Sequence, residues 1–200
     1  MKVSAILGSP KKNGNSSLLA QTFLEESEKR GAITESFFLQ DMEYGGCIAC
    51  EACKAGSDKC VLNDDLTRVL DAMYEADIIL FASPNYFSEV TGQFKLFLDR
   101  TYSFLTPEFL SGPNKSRLPD GKKVVFIFTQ GAPDTAFTEI PEKYSRIMGY
   151  FGLDEFHSIH GCNLFKSGEV KDRPDLLQTA RELAAKLTAL TGPAVEDESA

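Results

Sequence analysis

The sequence predicts an α/β fold: a doubly wound, five-stranded parallel sheet covered by helices on both faces. Two observations carry this. Short β-rich apolar runs alternate with longer amphipathic stretches along the chain, the pattern of strand–helix–strand crossovers. The chain has 200 residues, 42% hydrophobic and 25% charged, which suits one globular domain with a core of several layers.

The elements follow in order. Val3 to Leu7 reads as the first strand, and Ser17 to Arg30 as a helix with Leu18, Leu19, Phe23 and Leu24 turned inward. Ile33 to Leu39 forms a second strand. Leu66 to Tyr74 carries Leu66, Val69, Leu70 and Met73 at helical spacing. Asp77 to Ala82 is a buried strand, followed by a helix from Gly92 to Phe104. Lys123 to Thr129 is the fourth strand, Phe137 to Phe151 the fourth helix and Phe156 to Cys162 the fifth strand. Pro174, suited to a first helical turn, opens a last helix reaching Leu190. Residues 1–192 are read as a single domain with a cysteine-rich insertion at 45–64. The acidic tail 193–200 is expected to be disordered.

A sheet of this kind binds ligands outside the carboxyl ends of its strands. The loops after Leu7, Leu39, Ala82, Thr129 and Cys162 are therefore the candidates. Two connections, Gln40 to Asp64 and Thr106 to Gly121, are long for a compact domain, which marks them as functional. The net charge of −8 argues against a nucleic-acid partner. The apolar runs are strand-sized, so no membrane span is expected. The N-terminus lacks a signal-peptide core and cleavage region, and the expected location is the cytoplasm. In that compartment the four cysteines gathered between Cys47 and Cys60 point to metal or redox chemistry.

The segment Gly8-Ser9-Pro10-Lys11-Lys12-Asn13-Gly14-Asn15-Ser16-Ser17 joins the first strand to the first helix. A helix N-terminus offers a phosphate free N–H groups and a favourable dipole. Ser9, Asn15, Ser16 and Ser17 add side-chain donors, Lys11 adds charge, and Gly14 lets the backbone approach closely. The loop matches neither GxGxxG nor the Gly-x4-Gly-Lys-Ser/Thr pattern, which disfavours dinucleotide and nucleoside triphosphate sites. The plainer alternative is a polar loop with an N-cap serine.

This loop resembles the FMN-phosphate loop of the NADPH-dependent FMN reductase family, a flavodoxin-fold group. Ser83-Pro84-Asn85-Tyr86-Phe87 and the following Thr91-Gly92-x-x-Lys95-x-Phe97-x-Asp99-Arg100 resemble that family's flavin-ring loop and the helix after it. The resemblance runs to about Ala136. It implies a flavodoxin-like strand order of 2-1-3-4-5, with FMN as cofactor. Pro84 and the backbone of Asn85, Tyr86 and Phe87 would meet the ring edge, where N–H groups stabilise charge developing on reduction. Gly131 would bring backbone close to the ring. Ordinary packing is the alternative for Tyr86 and Phe87, and a structural ion pair is expected of Asp99 and Arg100.

Cys47-Ile-Ala-Cys50-Glu-Ala-Cys53, followed by Cys60, is the sharpest motif. Cysteines at every third position wrap a compact loop whose sulfurs can converge on one face of a cubic cluster, with a fourth thiolate completing it. A structural zinc site more often uses two separated pairs. Within the family, the arrangement resembles the iron–sulfur flavoproteins, which implies a 4Fe-4S cluster on Cys47, Cys50, Cys53 and Cys60. Glu51, Asp58, Asp64 and Asp65 are expected to make that neighbourhood negative and to lower the cluster's potential. Cys162 is expected to be a buried core thiol, and His157 and His160 packing or surface groups.

The function expected is an FMN-dependent oxidoreductase moving electrons between NAD(P)H or a reduced ferredoxin, FMN and the cluster. No catalytic acid or base is expected, because hydride transfer to flavin requires none. A homodimer or homotetramer is expected, partly because Phe104, Leu105, Phe109 and Leu110 look costly to leave in water. The alternative is a non-enzymatic flavodoxin-like carrier, or a thiol-based redox sensor without a cluster.

Overall fold

In the computed structural model the five strands lie parallel in the order β2-β1-β3-β4-β5, and residues 1–189 are described. The expected acidic tail from residue 193 and the expected helix end at Leu190 lie outside the described residues. The strands are β1 (Lys2–Leu7), β2 (Ile33–Phe38), β3 (Ile78–Pro84), β4 (Lys123–Thr129) and β5 (Glu155–Gly161). The helices are α1 (Asn15–Lys29), α2 (Leu66–Glu75), α3 (Gly92–Arg100), α4 (Glu139–Gly149) and α5 (Pro174–Thr188).

The central strands are apolar on both faces because helices cover both. On one face Ala5, Leu80 and Ile127 pack against Leu19, Phe23, Ala180 and Ala184 of α1 and α5. On the other, Ile6, Phe81 and Phe126 pack with Val69, Phe94, Phe97 and Tyr144 of α2, α3 and α4. This second face is aromatic: Phe81 and Phe94 meet edge to face at 5.4 Å, and Phe126 stacks on Tyr144 at 4.9 Å. Such pairs contribute about 0.5–1.5 kcal/mol each beyond their buried area.

Several boundaries differ from the sequence reading by one to four residues, three of them for reasons visible in the structure. α3 ends at Arg100 and tightens into a 3-10 turn over Thr101–Phe104. There the hydroxyls of Thr101 and Ser103 donate to Leu98 O and Arg100 O, a back-bonding that competes with the regular helix. α4 starts at Glu139 rather than Phe137, because Phe137 has a left-handed φ of 59°. β3 runs on to Pro84, which pairs with Thr129.

Two expectations are corrected. Asp99 and Arg100 do not pair with each other: adjacent helical positions point apart, so Asp99 pairs with Lys95 and Arg100 with Asp64. Phe104 and Leu105 are buried within the chain and Phe109 partly so, leaving only Leu110 of that group well exposed. No described helix is long and apolar enough to cross a membrane.

Candidate functional site

The loops after β1, β3, β4 and β5 meet at the carboxyl edge of the sheet around a cavity of about 210 Å³. Its walls include Ser9, Lys11 and Asn15 from the first loop, Pro84, Asn85 and Tyr86 from the second, and Gly131 from the third.

The first loop is shaped by its own hydrogen bonds. The carbonyl of Lys11 accepts from Ser9 Oγ, Ser17 Oγ and Gly14 N at 3.1, 3.1 and 2.9 Å. Gly14 is required by the close approach: a Cβ there would stand 2.7 Å from Ser9 Oγ and 3.0 Å from Lys11 O. α1 begins on this loop with no side-chain cap, so its first-turn N–H groups face outward as donors. Ser16, in that turn, is 1% exposed, and its Oγ has no hydrogen-bond partner among the described residues. A buried, unpaired hydroxyl costs free energy unless a ligand satisfies it. A phosphate would.

Thr91 joins the first two loops at their roots. Its Oγ1 donates to Gly8 O at 2.6 Å and accepts from Phe94 N as the cap of α3, while its N–H donates to Ser83 Oγ. Beyond Pro84 the chain turns sharply, with left-handed φ at Phe87 (52°) and Ser88 (64°). Two of the backbone donors expected to face a ring are taken. Asn85 N extends the β3–β4 ladder to Thr129 O at 2.7 Å, and Tyr86 N closes the turn onto Glu89 O at 2.8 Å. Phe87 is fully exposed and does not line the cavity. What Asn85 does present is a buried Oδ1 without a partner.

Glu89 anchors this turn to α4. Its carboxylate accepts from Tyr144 Oη at 2.9 Å and Val90 N at 2.9 Å and pairs with Lys143. Burial works to raise the Glu89 pKa, but the bonds from Lys143, Val90 and Tyr144 outweigh it and hold the carboxyl below its usual range.

The loop after β5 was among the candidates, but no residue in it was named from the sequence. Leu164, Phe165, Lys166 and Ser167 complete the cavity, and a Cβ on Gly131 would lie 2.9 Å from Phe165 Cδ1. The available signal was Phe165 itself, a large apolar residue amid polar ones just past a strand's carboxyl end. Gln130 was missed as well. Its Nε2 donates to Pro133 O and Ala136 O and so holds the loop after β4.

Cys162 is buried, and burial pushes its thiol pKa up. His157 lies 3.3 Å from Glu155, and His160 packs on Phe128 with burial lowering its pKa.

The cysteine loop packs beside α3, whose N-terminal end carries the second loop of the cavity just described. Cys47, Cys50, Cys53 and Cys60 all line a separate cavity of about 610 Å³, walled also by Leu98, Tyr102 and Phe151. Among the described residues no three His, Cys, Asp or Glu side chains stand close enough together to hold a metal ion. The donor set and the shared cavity nonetheless suit a thiolate-bound centre. The backbone is already curled, with left-handed φ at Ala49 (52°), Glu51 (55°) and Gly56 (131°). Asp64 and Asp58, expected to leave the surroundings negative, are paired with Arg100 (2.7 Å) and Arg117 (3.4 Å).

Fold and loops together define a flavodoxin-like protein with a cavity at the carboxyl ends of its strands. The chain belongs to the NADPH-dependent FMN reductase family, whose pattern it matches over residues 1–137. It is 42% identical over 101 residues to an iron-sulfur flavoprotein of Methanocaldococcus jannaschii, covering 50% of this chain and 52% of that one. It is 29% identical over 187 residues to an iron-sulfur flavoprotein of Archaeoglobus fulgidus, covering 94% of this chain and 79% of that one. For several such relatives the matched part spans about half of their length. Among solved structures, an NAD(P)H:quinone oxidoreductase from Methanothermobacter marburgensis shares the fold with a TM-score of 0.73. It is 20% identical, over 94% of this chain and 96% of that one.

Proposed function

We propose that this chain is an FMN-dependent oxidoreductase taking electrons from NAD(P)H or a reduced ferredoxin, with a 4Fe-4S cluster on Cys47, Cys50, Cys53 and Cys60 as its second centre. The observation carrying the flavin reading is the orphaned, buried Ser16 hydroxyl in the uncapped first turn of α1. The cluster reading is supported by four cysteines on one cavity and by the iron-sulfur flavoprotein names of the relatives.

When bound, FMN supplies two-electron acceptance with one-electron release, and a cluster supplies one-electron transfer. The chain's own part is binding and orientation. Ser16 and the α1 N–H groups hold the phosphate, with Lys11 adding charge. Ser9, Gly14 and Ser17 keep that loop in shape. Pro84, Asn85 and Tyr86 line the ring site with Gly131, and Asn85 Oδ1 provides an acceptor for a ring N–H. Phe165 shields the side facing Gly131 from water. No residue here is assigned proton transfer.

We also propose a homodimer or homotetramer in the cytoplasm. Exposed apolar side chains at Ile48, Phe87 and Leu110 favour assembly. Light scattering at micromolar concentration reads the assembly, and a monomer removes it.

Steady-state oxidation of NADH or NADPH by the flavin-loaded protein, assayed anaerobically with an added acceptor, tests the activity. Turnover is expected with at least one nucleotide or with reduced ferredoxin. Stoichiometric reduction without turnover would make the chain a carrier instead.

A further inference from the structure

Arg100 is the largest fully buried side chain among the described residues: the residue is 1% exposed and its side chain 0%. A guanidinium has five N–H donors in a fixed fork, and here each has an acceptor. Nη1 donates to Gly45 O (2.9 Å) and Asp64 Oδ2 (2.7 Å), and Nη2 to Leu62 O (3.1 Å) and Asp64 Oδ1 (3.2 Å). The remaining donor, Nε, points at Cys60 Sγ at 3.1 Å. Gly45 precedes Cys47 and Leu62 follows Cys60, so one side chain at the end of α3 grips both ends of the cysteine loop and one of its sulfurs.

We propose that Arg100 is the positioning residue of the second redox centre: it holds the Cys60 sulfur in place through an N–H···S hydrogen bond and raises the potential of the cluster that Cys60 ligates. This rests on the cluster reading above. Reduction adds negative charge to a thiolate-bound cluster, and hydrogen bonds and positive charge at its sulfurs favour that more negative state. Two further cations act in the same direction. Arg117 donates to Cys53 O at 3.0 Å, and Lys54 donates to Tyr102 O and Leu105 O beside the same cavity. The acidic flanks that the sequence displays are thus answered by three basic groups: Arg100 donates to the Cys60 sulfur, and Lys54 lies against that of Cys53. A merely structural ion pair with Asp64 would need the charge and not the fork. Lysine supplies the charge but cannot reproduce five directed donors.

The test compares wild type, Arg100→Lys and Arg100→Gln, each purified anaerobically and reconstituted with iron and sulfide. Three quantities are measured: FMN per chain, iron and sulfide per chain, and the midpoint potential of the cluster from an EPR-monitored redox titration. Arg100→Lys is expected to keep FMN and move the potential to a more negative value with an altered EPR signal. Arg100→Gln is expected to keep FMN and lose cluster content severalfold. A lysine variant with the wild-type potential and signal overturns the proposal, as does a glutamine variant that loads normally at the wild-type potential. Should both variants fail to bind FMN, Asp64→Asn carries the test. It leaves Arg100 less neutralised, so its potential must rise, and an unchanged or lower value overturns the role. A wild-type protein that takes up FMN but no iron or sulfide overturns the cluster reading and this role together. That outcome is told apart by wild type alone.

Discussion

Asn15 holds Lys166 through its side-chain amide: Nδ2 donates to Lys166 O at 2.9 Å, while Oδ1 accepts from Val170 N at 3.1 Å. The first residue of α1 is thereby fastened to the loop after β5, which ties the proposed phosphate end of the cavity to its Phe165 wall. Asn15→Ala removes both bonds, at about 1 kcal/mol each. FMN affinity, read by flavin fluorescence quenching, should fall with stability. Asn15→Asp keeps the bond from Val170 N but sets a negative charge beside the phosphate site. It should bind FMN more weakly than Asn15→Ala, and the reverse order would remove the phosphate from this loop.

Ser16 gives a sharper test of the same site. Its hydroxyl has no protein partner, so Ser16→Ala should leave thermal stability near wild type or improve it. FMN binding should weaken by roughly ten- to a hundredfold, the loss of a hydrogen bond to a charged group of about 1.5–3 kcal/mol. Ser16→Asp should weaken it further through like-charge repulsion. An alanine variant with unchanged affinity would show that the phosphate lies elsewhere.

Glu89 supplies a pH dependence. Its folded pKa is depressed, so its contribution is present above the unfolded carboxylate pKa and is lost as pH falls through the folded value. Glu89→Gln should therefore be less stable than wild type at pH 7, by about 1 kcal/mol or less for a partly exposed pair. The gap should close in acid, below the ordinary carboxylate range. Urea melts at the two pH values measure this, and a gap that persists in acid would assign the effect to packing.

Gly8 sets the distance between β1 and α3. A Cβ there would stand 2.7 Å from Phe94 Cβ and 3.2 Å from Thr91 Oγ1. Phe94 cannot swing its Cβ away, so the helix itself must shift. Gly8→Ala should cost about 1–3 kcal/mol, visible as a Tm lower by several degrees. An unchanged Tm would show that α3 moves freely.

The five strands and the four crossovers between them were legible in the sequence, because buried parallel strands and amphipathic helices leave strong local patterns; the strand order came from the family resemblance. Leu66, Val69, Leu70 and Met73 fell on the buried face as their spacing requires. What the sequence hid was pairing between distant residues. All of α2 and β3 lies between Asp64 and Arg100, and nothing local singles out Asp64 or directs Arg100 away from Asp99. The same holds for Asn85 N, whose partner Thr129 belongs to another strand. Phe165 needed the sheet closed before its place against Gly131 could be seen.

A flavin at the α1 end of the sheet and a thiolate-bound cluster in the cavity beside α3 are proposed to share one chain. Anaerobic purification followed by flavin identification and iron and acid-labile sulfide analysis tests this most directly. About one FMN and about four iron and four sulfide per chain are expected, by the four-thiolate ligation of such clusters. Cys60→Ala should lose the cluster and keep the FMN, and Cys162→Ala should keep both. Stoichiometric FAD, or no flavin after reconstitution, would contradict the flavin site; zinc, or FMN without iron and sulfide, would contradict the cluster.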